Sequence, residues 1–215
     1  MAFLARYLAP ELAALSSASN SSAVGLRSLD NPRRASSIAI IGASTEPGSV
    51  GNDIAKNLIE SAYGGEVFPV NPKAEELFGR RCYARIDDLP ETPDLVIIVV
   101  PAGIVPGVLR EAAEKGTRAA VVISAGFKET GEAGLALETE LSAIAKEYGI
   151  ALLGPNCLGF LHPKLGINAS FAPTLPAEGD NAFFSQSGAL CTAMLDLSHG
   201  KIGFSKFVST GNKAT

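Results

Sequence analysis

Long apolar runs are missing from this chain of 215 residues: the longest, such as Leu95 to Val100, are strand-sized. A helix that crosses a bilayer needs roughly 18 or more such residues in a row, so no membrane partner is expected. Concentrated positive charge is missing too. Eighteen Lys and Arg stand against 22 Asp and Glu, a formal net charge of -4 without a basic run, which excludes nucleic acid as an expected partner. Cysteine is scarce: Cys82, Cys157 and Cys191 are odd in number, far apart and outside any Cys-x-x-Cys or Cys/His spacing. No metal centre is expected, and a reducing compartment, the cytoplasm, suits the chain best.

What is present is a globular composition, 47% apolar and 19% charged, organised around residues 37 to 62. Ile38 to Ile41 form a short apolar run ending at Gly42, the pattern of a strand buried on both faces of a parallel sheet. A loop rich in Gly, Ser and Pro follows, and from about Val50 the residues Ile54, Ala55, Leu58, Ile59 and Ala62 repeat at helical spacing. Strand, glycine loop and helix aim backbone N–H groups and the positive end of a helix dipole at an anion, most often a phosphate. Gly48 to Gly51 match the end of the dinucleotide fingerprint, while the first half is stretched beyond Gly-x-Gly.

The second strand, Glu66 to Val70, ends in Asn71-Pro72-Lys73. A nicotinamide enzyme places an acid near this point for the ribose hydroxyls. A lysine attracts an extra phosphate there, which points away from NAD and toward a cofactor with a 3′- or 2′-phosphate. Leu95 to Val100, Arg118 to Ser124 and Ile150 to Leu153 read as further strands. Helices are expected over about 105 to 115 and 134 to 148. Uninterrupted alternation of strand and helix from Ser37 to Gly154 predicts a doubly wound parallel α/β sheet, whose strand ends should face one crevice. Residues 1 to 36 read as an N-terminal extension, preferred over a transit peptide because the arginines come late. Residues 160 to 180, rich in proline and poor in periodicity, read as a linker. From 181 the opening logic repeats, with a strand at 182 to 184, a Ser-Gln-Ser-Gly turn, a helix over 189 to 197 and a strand over 202 to 209. The chain is expected to break off inside this second domain, since two or three strands cover their faces poorly.

Seven segments in order carry a resemblance to a family. They are Ile-Gly-Ala-Ser…Pro-Gly-Ser-Val-Gly (41 to 51), Pro-Val-Asn-Pro-Lys (69 to 73), Pro-Asp-Leu-Val-Ile…Val-Pro-Ala (93 to 102), Ser-Ala-Gly-Phe (124 to 127), Gly-Pro-Asn-Cys-Leu-Gly (154 to 159), Ser-Gln-Ser-Gly-Ala (185 to 189) and Ser-Thr-Gly-Asn-Lys-Ala (209 to 214). Together they resemble the CoA-binding, α-type portion of the NDP-forming acyl-CoA synthetases, the superfamily of succinyl-CoA synthetase. The resemblance implies a Rossmann-like CoA-binding domain over 37 to 159 and the beginning of a flavodoxin-like ligase domain over 181 to 215. It implies coenzyme A as cofactor, with ADP or ATP and Mg reaching the chemistry only through an ATP-grasp domain or subunit. Carried over by position, Gly42, Ala43, Ser44, Pro47, Gly48, Ser49, Val50 and Gly51 cradle CoA phosphates, and Asn71, Pro72 and Lys73 meet a further phosphate. Val100, Pro101 and Ala102, with Ser124, Ala125, Gly126 and Phe127, line the pantetheine path. Gly154, Pro155, Asn156 and Cys157, with Ser185, Gln186, Ser187 and Gly188, form the two helix starts that hold the phosphate of a phosphohistidine.

The family's phosphorylated histidine lies beyond Thr215 in the family pattern, and neither His162 nor His199 sits at a motif, so no catalytic residue is assigned within this chain. Cys157 has no His or Asp partner nearby in sequence, and a small residue that lets phosphate approach is the preferred explanation of it. Glu129 and Glu132 read as a solvated helix start rather than an acid/base pair. The leading expectation is the CoA-binding part of an ADP-forming acyl-CoA synthetase of acetyl-CoA type, incomplete alone. A CoA-sensing regulatory module of an acyltransferase and an NAD(P)-binding oxidoreductase domain are the alternatives, and homo-oligomer formation stays open.

Overall fold

The computed structural model describes residues 37–214, so the expected N-terminal extension lies outside the described residues. In chain order the elements are β1 (Ser37–Ile41), α1 (Val50–Ile59), β2 (Glu66–Val70), β3 (Glu76–Leu77), β4 (Arg80–Arg81), β5 (Leu95–Ile98), α2 (Val105–Lys115), β6 (Ala119–Val122), α3 (Glu132–Tyr148), β7 (Ala151–Leu153), β8 (Gly159–His162), β9 (Ile167–Ser170), β10 (Glu178–Ser185), α4 (Gly188–Ser198) and β11 (Phe204–Ser209).

The five strands of the first sheet run parallel in the order β2-β1-β5-β6-β7. Strands β1, β5 and β6 bury every residue, which is why they are apolar throughout rather than alternating. Their side chains still divide by twos. Ile38, Ile40, Ile97 and Val121 face one core with Ile54, Ala55 and Leu58 of α1. Ala39, Ile41, Val96, Ile98 and Val122 face the other, with Leu109 and Ala112 of α2 and Leu141 and Ile144 of α3. Helices cover both faces, as a doubly wound sheet requires, and each fully buried Ile or Leu contributes roughly 1.5–3 kcal/mol.

Alternation is broken once, between β2 and β5. The connection is the β3–β4 hairpin and a single 3-10 turn at Ile86–Asp88, not a helix. The reason lies at the sheet edge. Strand β2 is outermost, and Tyr83 pairs along it: the Tyr83 N–H donates to the Pro69 carbonyl at 2.9 Å and the Asn71 N–H to the Tyr83 carbonyl at 2.9 Å. The connection covers an edge that would otherwise stay open.

The stretch 160–180, expected as a linker, instead contributes strands to a second sheet. Its order is β10-β11-β8-β9, with β10 parallel to β11 and the β8–β9 hairpin antiparallel. Two features hid these strands. The hairpin turn falls on Pro163–Leu165, and β9 is buried throughout although it contains Asn168 and Ser170. Those two satisfy each other: the Ser170 hydroxyl donates to Asn168 Oδ1 at 2.6 Å, and Asn168 Nδ2 donates to the Ala172 carbonyl at 3.0 Å. The second sheet packs over α1, sharing its core through Phe160, Ile167, Ala169 and Val208. Asn57 of α1 donates to the Ser170 and Ala172 carbonyls, both at 2.8 Å.

Candidate functional site

From β1 the chain runs to β2 on one side, and β5 then pairs with β1 on the other. In open α/β sheets the crevice at the carboxyl ends of the strands flanking such a reversal is where ligands gather. Gly42 stands at that point, and its own N–H donates to the Val70 carbonyl at 3.0 Å. A Cβ on Gly42 would lie 2.4 Å from the Val99 oxygen, and one on Gly51 only 2.1 Å from the Gly42 oxygen. The loop therefore folds back on the strand end so tightly that only hydrogen fits at both positions. Ser49 caps α1, accepting the Asn52 N–H at 3.4 Å and donating to the Glu46 carbonyl at 2.8 Å. Asn52, buried, donates from Nδ2 to the Ser44 carbonyl at 2.8 Å. With the Asn52 N–H taken by Ser49, the Val50 and Gly51 N–H groups are the ones left without a partner among the described residues at the start of α1.

Neighbouring strand ends are tied to this loop. Asn71 donates from Nδ2 to the Ala43 carbonyl at 2.7 Å and accepts the Lys73 N–H at 2.8 Å. Lys73 is exposed, and its ammonium enters no ion pair among the described residues. The Ser124 hydroxyl donates to the Val100 carbonyl at 2.6 Å, and a Cβ on Gly126 would lie 3.0 Å from that of Ala102. The 100–102 and 124–127 segments thus meet. Phe127, expected to line the pantetheine path, does not: it is wholly buried against α2 and α3, with its N–H on Glu129 and its carbonyl on Thr130, and has no surface to offer a ligand.

Glu129 is neither a free base nor merely solvated. Burial pushes its carboxyl up, but hydrogen bonds from Asn212 and from the Gly126 and Phe127 N–H groups, at 2.5, 2.6 and 3.1 Å, outweigh that and hold it below the usual glutamate range. It pins the 126–127 turn. Glu132 is exposed at the start of α3.

Gly154–Cys157, expected to be a helix start, is instead a turn that joins β7 to β8, because the chain enters the second sheet here rather than another helix. Asn156 donates its N–H to the Ser124 carbonyl at 2.9 Å, which places this turn beside the 124–127 segment. Cys157 points inward, its thiol on the Val122 carbonyl at 3.3 Å, and burial pushes its pKa up to about 12. It is a protonated packing group, which removes the nucleophile reading. In the Ser185–Gly188 turn, Ser187 caps α4 by accepting the Leu190 N–H at 3.2 Å. His199 closes the other end of that helix, about 16 Å away at 1.5 Å per residue, and His162 ends β8. Neither histidine joins the two turns. Sequence reasoning left the segment 209–214 without a role, yet the Thr210 N–H donates to the Ser185 carbonyl at 2.8 Å and the Asn212 N–H to the Pro155 carbonyl at 2.8 Å.

The family model described as the CoA binding domain matches residues 36–163, and that of the succinyl-CoA ligase like flavodoxin domain matches 178–215. The chain belongs to the CoA-binding domain family. Its relatives include acetate–CoA ligase [ADP-forming] I of Archaeoglobus fulgidus, 49% identical over 82% of this chain and 26% of that protein. The α subunit of acetate–CoA ligase [ADP-forming] I of Pyrococcus furiosus is 43% identical over 89% of this chain and 42% of the subunit. Among solved structures, an apo acetyl-coenzyme A synthetase 1 from Ca. Korarchaeum cryptofilum superposes with a TM-score of 0.82 at 42% identity, covering 88% of this chain and 41% of that one. This CoA-binding domain and its companion segment therefore span about a quarter to two fifths of the length of these relatives. No helix among the described residues is long and apolar enough to cross a membrane, and no cluster of His, Cys, Asp and Glu among them could hold a metal ion.

Proposed function

We propose that this chain is the CoA-binding part of an ADP-forming acyl-CoA synthetase of acetyl-CoA type, working in the cytoplasm with an ATP-grasp domain or subunit. Residues 37–159 serve as the CoA-binding unit, and 181–215 begin the flavodoxin-like unit. In the reaction phosphate displaces CoA from acyl-CoA to give an acyl phosphate. A histidine supplied outside residues 1–215 takes the phosphoryl group and releases the carboxylate, and ADP then receives that group to become ATP. Coenzyme A supplies the thiol end of the thioester and, at its other end, the phosphates by which it is gripped.

The single observation that carries this proposal is the loop from Gly42 to Gly51, packed so closely that a Cβ on Gly51 would sit 2.1 Å from the Gly42 oxygen. That cradle leaves the Val50 and Gly51 N–H groups at the start of α1 for a phosphate chain, where an N-terminal dipole favours negative charge. Lys73, one strand away and without a counter-ion among the described residues, meets the 3′-phosphate. The Ser185–Gly188 turn holds the transferring phosphate at the start of α4, where the helix dipole and backbone amides stabilise a dianion without a mobile cation.

Calorimetry with CoA, dephospho-CoA, NAD and NADP tests the reading. CoA binds, the dinucleotides do not, and Lys73→Ala removes most of a roughly three- to tenfold preference for CoA over dephospho-CoA. Equal affinity for CoA and dephospho-CoA in the parent chain removes the role of Lys73. Binding of NAD or NADP in place of CoA overturns the proposal itself.

A further inference from the structure

Glu129 bonds toward the crevice with one carboxylate oxygen and toward the start of α4 with the other. Its Oε1 accepts the Gly126 N–H at 2.6 Å and the Phe127 N–H at 3.1 Å. Those bonds fix the turn after Ser124, where Ala125 is exposed and a Cβ on Gly126 would lie 3.0 Å from that of Ala102. Its Oε2 accepts from Asn212 Nδ2 at 2.5 Å. Close to Asn212 in the chain, Thr210 donates its N–H and its hydroxyl to the Ser185 carbonyl, at 2.8 and 3.3 Å. The Ser185 hydroxyl oxygen in turn accepts the Ser187 N–H at 3.1 Å. With the Leu190 N–H taken by Ser187, the Gly188 and Ala189 N–H groups are the ones left without a partner among the described residues at the start of α4.

The middle of this connection is held firmly. The Gly154–Cys157 turn has no amides for a ligand: Pro155 has no N–H, the Asn156 N–H donates to the Ser124 carbonyl, and Gly154 and Cys157 are buried. It is an anchor instead, its Pro155 and Gly154 carbonyls accepting the Asn212 and Ala214 N–H groups at 2.8 and 3.1 Å. The fit is close: Gly211 has φ +54, and a Cβ there would lie 2.2 Å from the Pro155 oxygen. The Asn212 amide is oriented as well. Its Nδ2 also donates to Glu138 Oε2 at 2.9 Å, and Glu138, only 5% exposed, pairs with the Lys128 ammonium at 2.9 Å. Turned over, the amide would set its oxygen against two carboxylates.

We propose that Glu129 is a positioning residue: by joining the Gly126 turn to Asn212, it sets the separation between the thiol end of CoA in the crevice and a phosphate at the start of α4. The proposal rests on the reading of the crevice as the CoA site and of the Ser185–Gly188 turn as the phosphate site. Phosphate has to reach the thioester carbonyl, and a misplacement of about 1 Å costs on the order of a hundredfold in rate.

The test uses the full chain and calorimetry with three ligands: CoA, inorganic phosphate and S-(2-phosphonoethyl)-CoA. The last carries its phosphorus as many bonds from sulfur as in the adduct of phosphate with a thioester carbonyl. In the parent the phosphonate tightens binding relative to CoA at least about tenfold, because both sites are met at once. Glu129→Gln keeps an oxygen for the Gly126 and Phe127 N–H groups but sets a donor against Asn212 Nδ2. It cuts the gain to less than about threefold and speeds amide hydrogen exchange at Thr210. Adding Glu138→Gln lets the Asn212 amide turn over and accept from both glutamines, so the double variant recovers most of the gain, which a merely structural role does not explain. A gain in Glu129→Gln within about twofold of the parent's, or no gain in a parent that binds both CoA and phosphate, overturns the inference. A parent that binds CoA but no phosphate overturns the reading of the α4 start instead, and one that binds phosphate but no CoA overturns that of the crevice. In either case exchange decides the positioning claim, and unchanged protection at Thr210 in Glu129→Gln refutes it.

Discussion

Replacing Gly51 with alanine puts the proposed CoA cradle under direct strain. The added Cβ would stand 2.1 Å from the Gly42 oxygen, with the Gly42 carbon at 3.2 Å and the Ser44 nitrogen at 3.4 Å. Restoring ordinary contact at about 3.4 Å requires the loop or the helix to move about 1.3 Å, since core groups do not interpenetrate. Neither yields easily. Gly42 is bonded to the Val70 carbonyl at 3.0 Å, and α1 is anchored by Ile54, Ala55 and Leu58, all at most 1% exposed. Overpacking of this kind costs up to about 3 kcal/mol, from which the helix preference of alanine over glycine subtracts about 1 kcal/mol. The remaining loss of about 2 kcal/mol corresponds to a fall of roughly 4–8 °C in Tm for a domain of this size. Displacement of the cradle by about 1 Å lowers CoA affinity on the order of a hundredfold. Gly48→Ala is the control. Gly48 has φ +77 but nothing within 4 Å of the Cβ position, so it carries only the left-handed strain of about 1–2 kcal/mol and far less loss of CoA binding. Differential scanning calorimetry and titration with CoA read both effects. A Gly51→Ala protein of equal or higher Tm that binds CoA within threefold of the parent refutes the reasoning, as does equal loss of CoA affinity in Gly48→Ala.

Two further predictions concern titrating groups. Burial pushes the Cys157 pKa up to about 12, so its thiol resists iodoacetamide at pH 8 in the native chain and reacts once urea unfolds it. Because this pKa is raised on folding, its contribution to stability is complete below about pH 9 and is lost as the pH climbs toward 12; a urea midpoint that does not fall across that window in the parent relative to Cys157→Ala contradicts the assignment. The Glu129 carboxyl is held below the usual range by Asn212, Gly126 and Phe127 despite its desolvation. Its contribution is therefore present above pH 4.5 and is lost as the pH falls below it, so Glu129→Gln flattens the acid limb of the stability profile; an unchanged limb refutes the pinning role.

The first sheet was legible because its strands are buried on both faces: β1, β5 and β6 are apolar without a break, and each carries its helix close behind. The second sheet was obscured by the same logic run backwards. Strand β9 is buried but carries Asn168 and Ser170, which pair with each other, so its composition looks like loop. Strand β10 lies at an edge and is mostly exposed, so only its Ala182–Phe184 run was legible and its first half was not. The β3–β4 connection escaped notice because covering the edge of β2 is a requirement of the sheet, and no local periodicity announces it.

At the site, the glycines and Ser49 were visible because a helix start needs them within ten residues of one another. Asn212 was not, and the separations show why. Its partners Asn156, Glu129 and Glu138 lie 56, 83 and 74 residues away. No spacing rule spans such gaps; only the packing of the second sheet over α1 brings β11 and the turn after it beside the carboxyl edge of the first sheet. The chain thus separates two kinds of site residue. Those that meet a ligand through backbone amides are encoded locally, by a cap and a glycine, and survive most side-chain changes nearby. Those that hold two turns at a fixed distance are encoded by the fold, and a change of one atom at Asn212, from nitrogen to oxygen, acts on both turns at once.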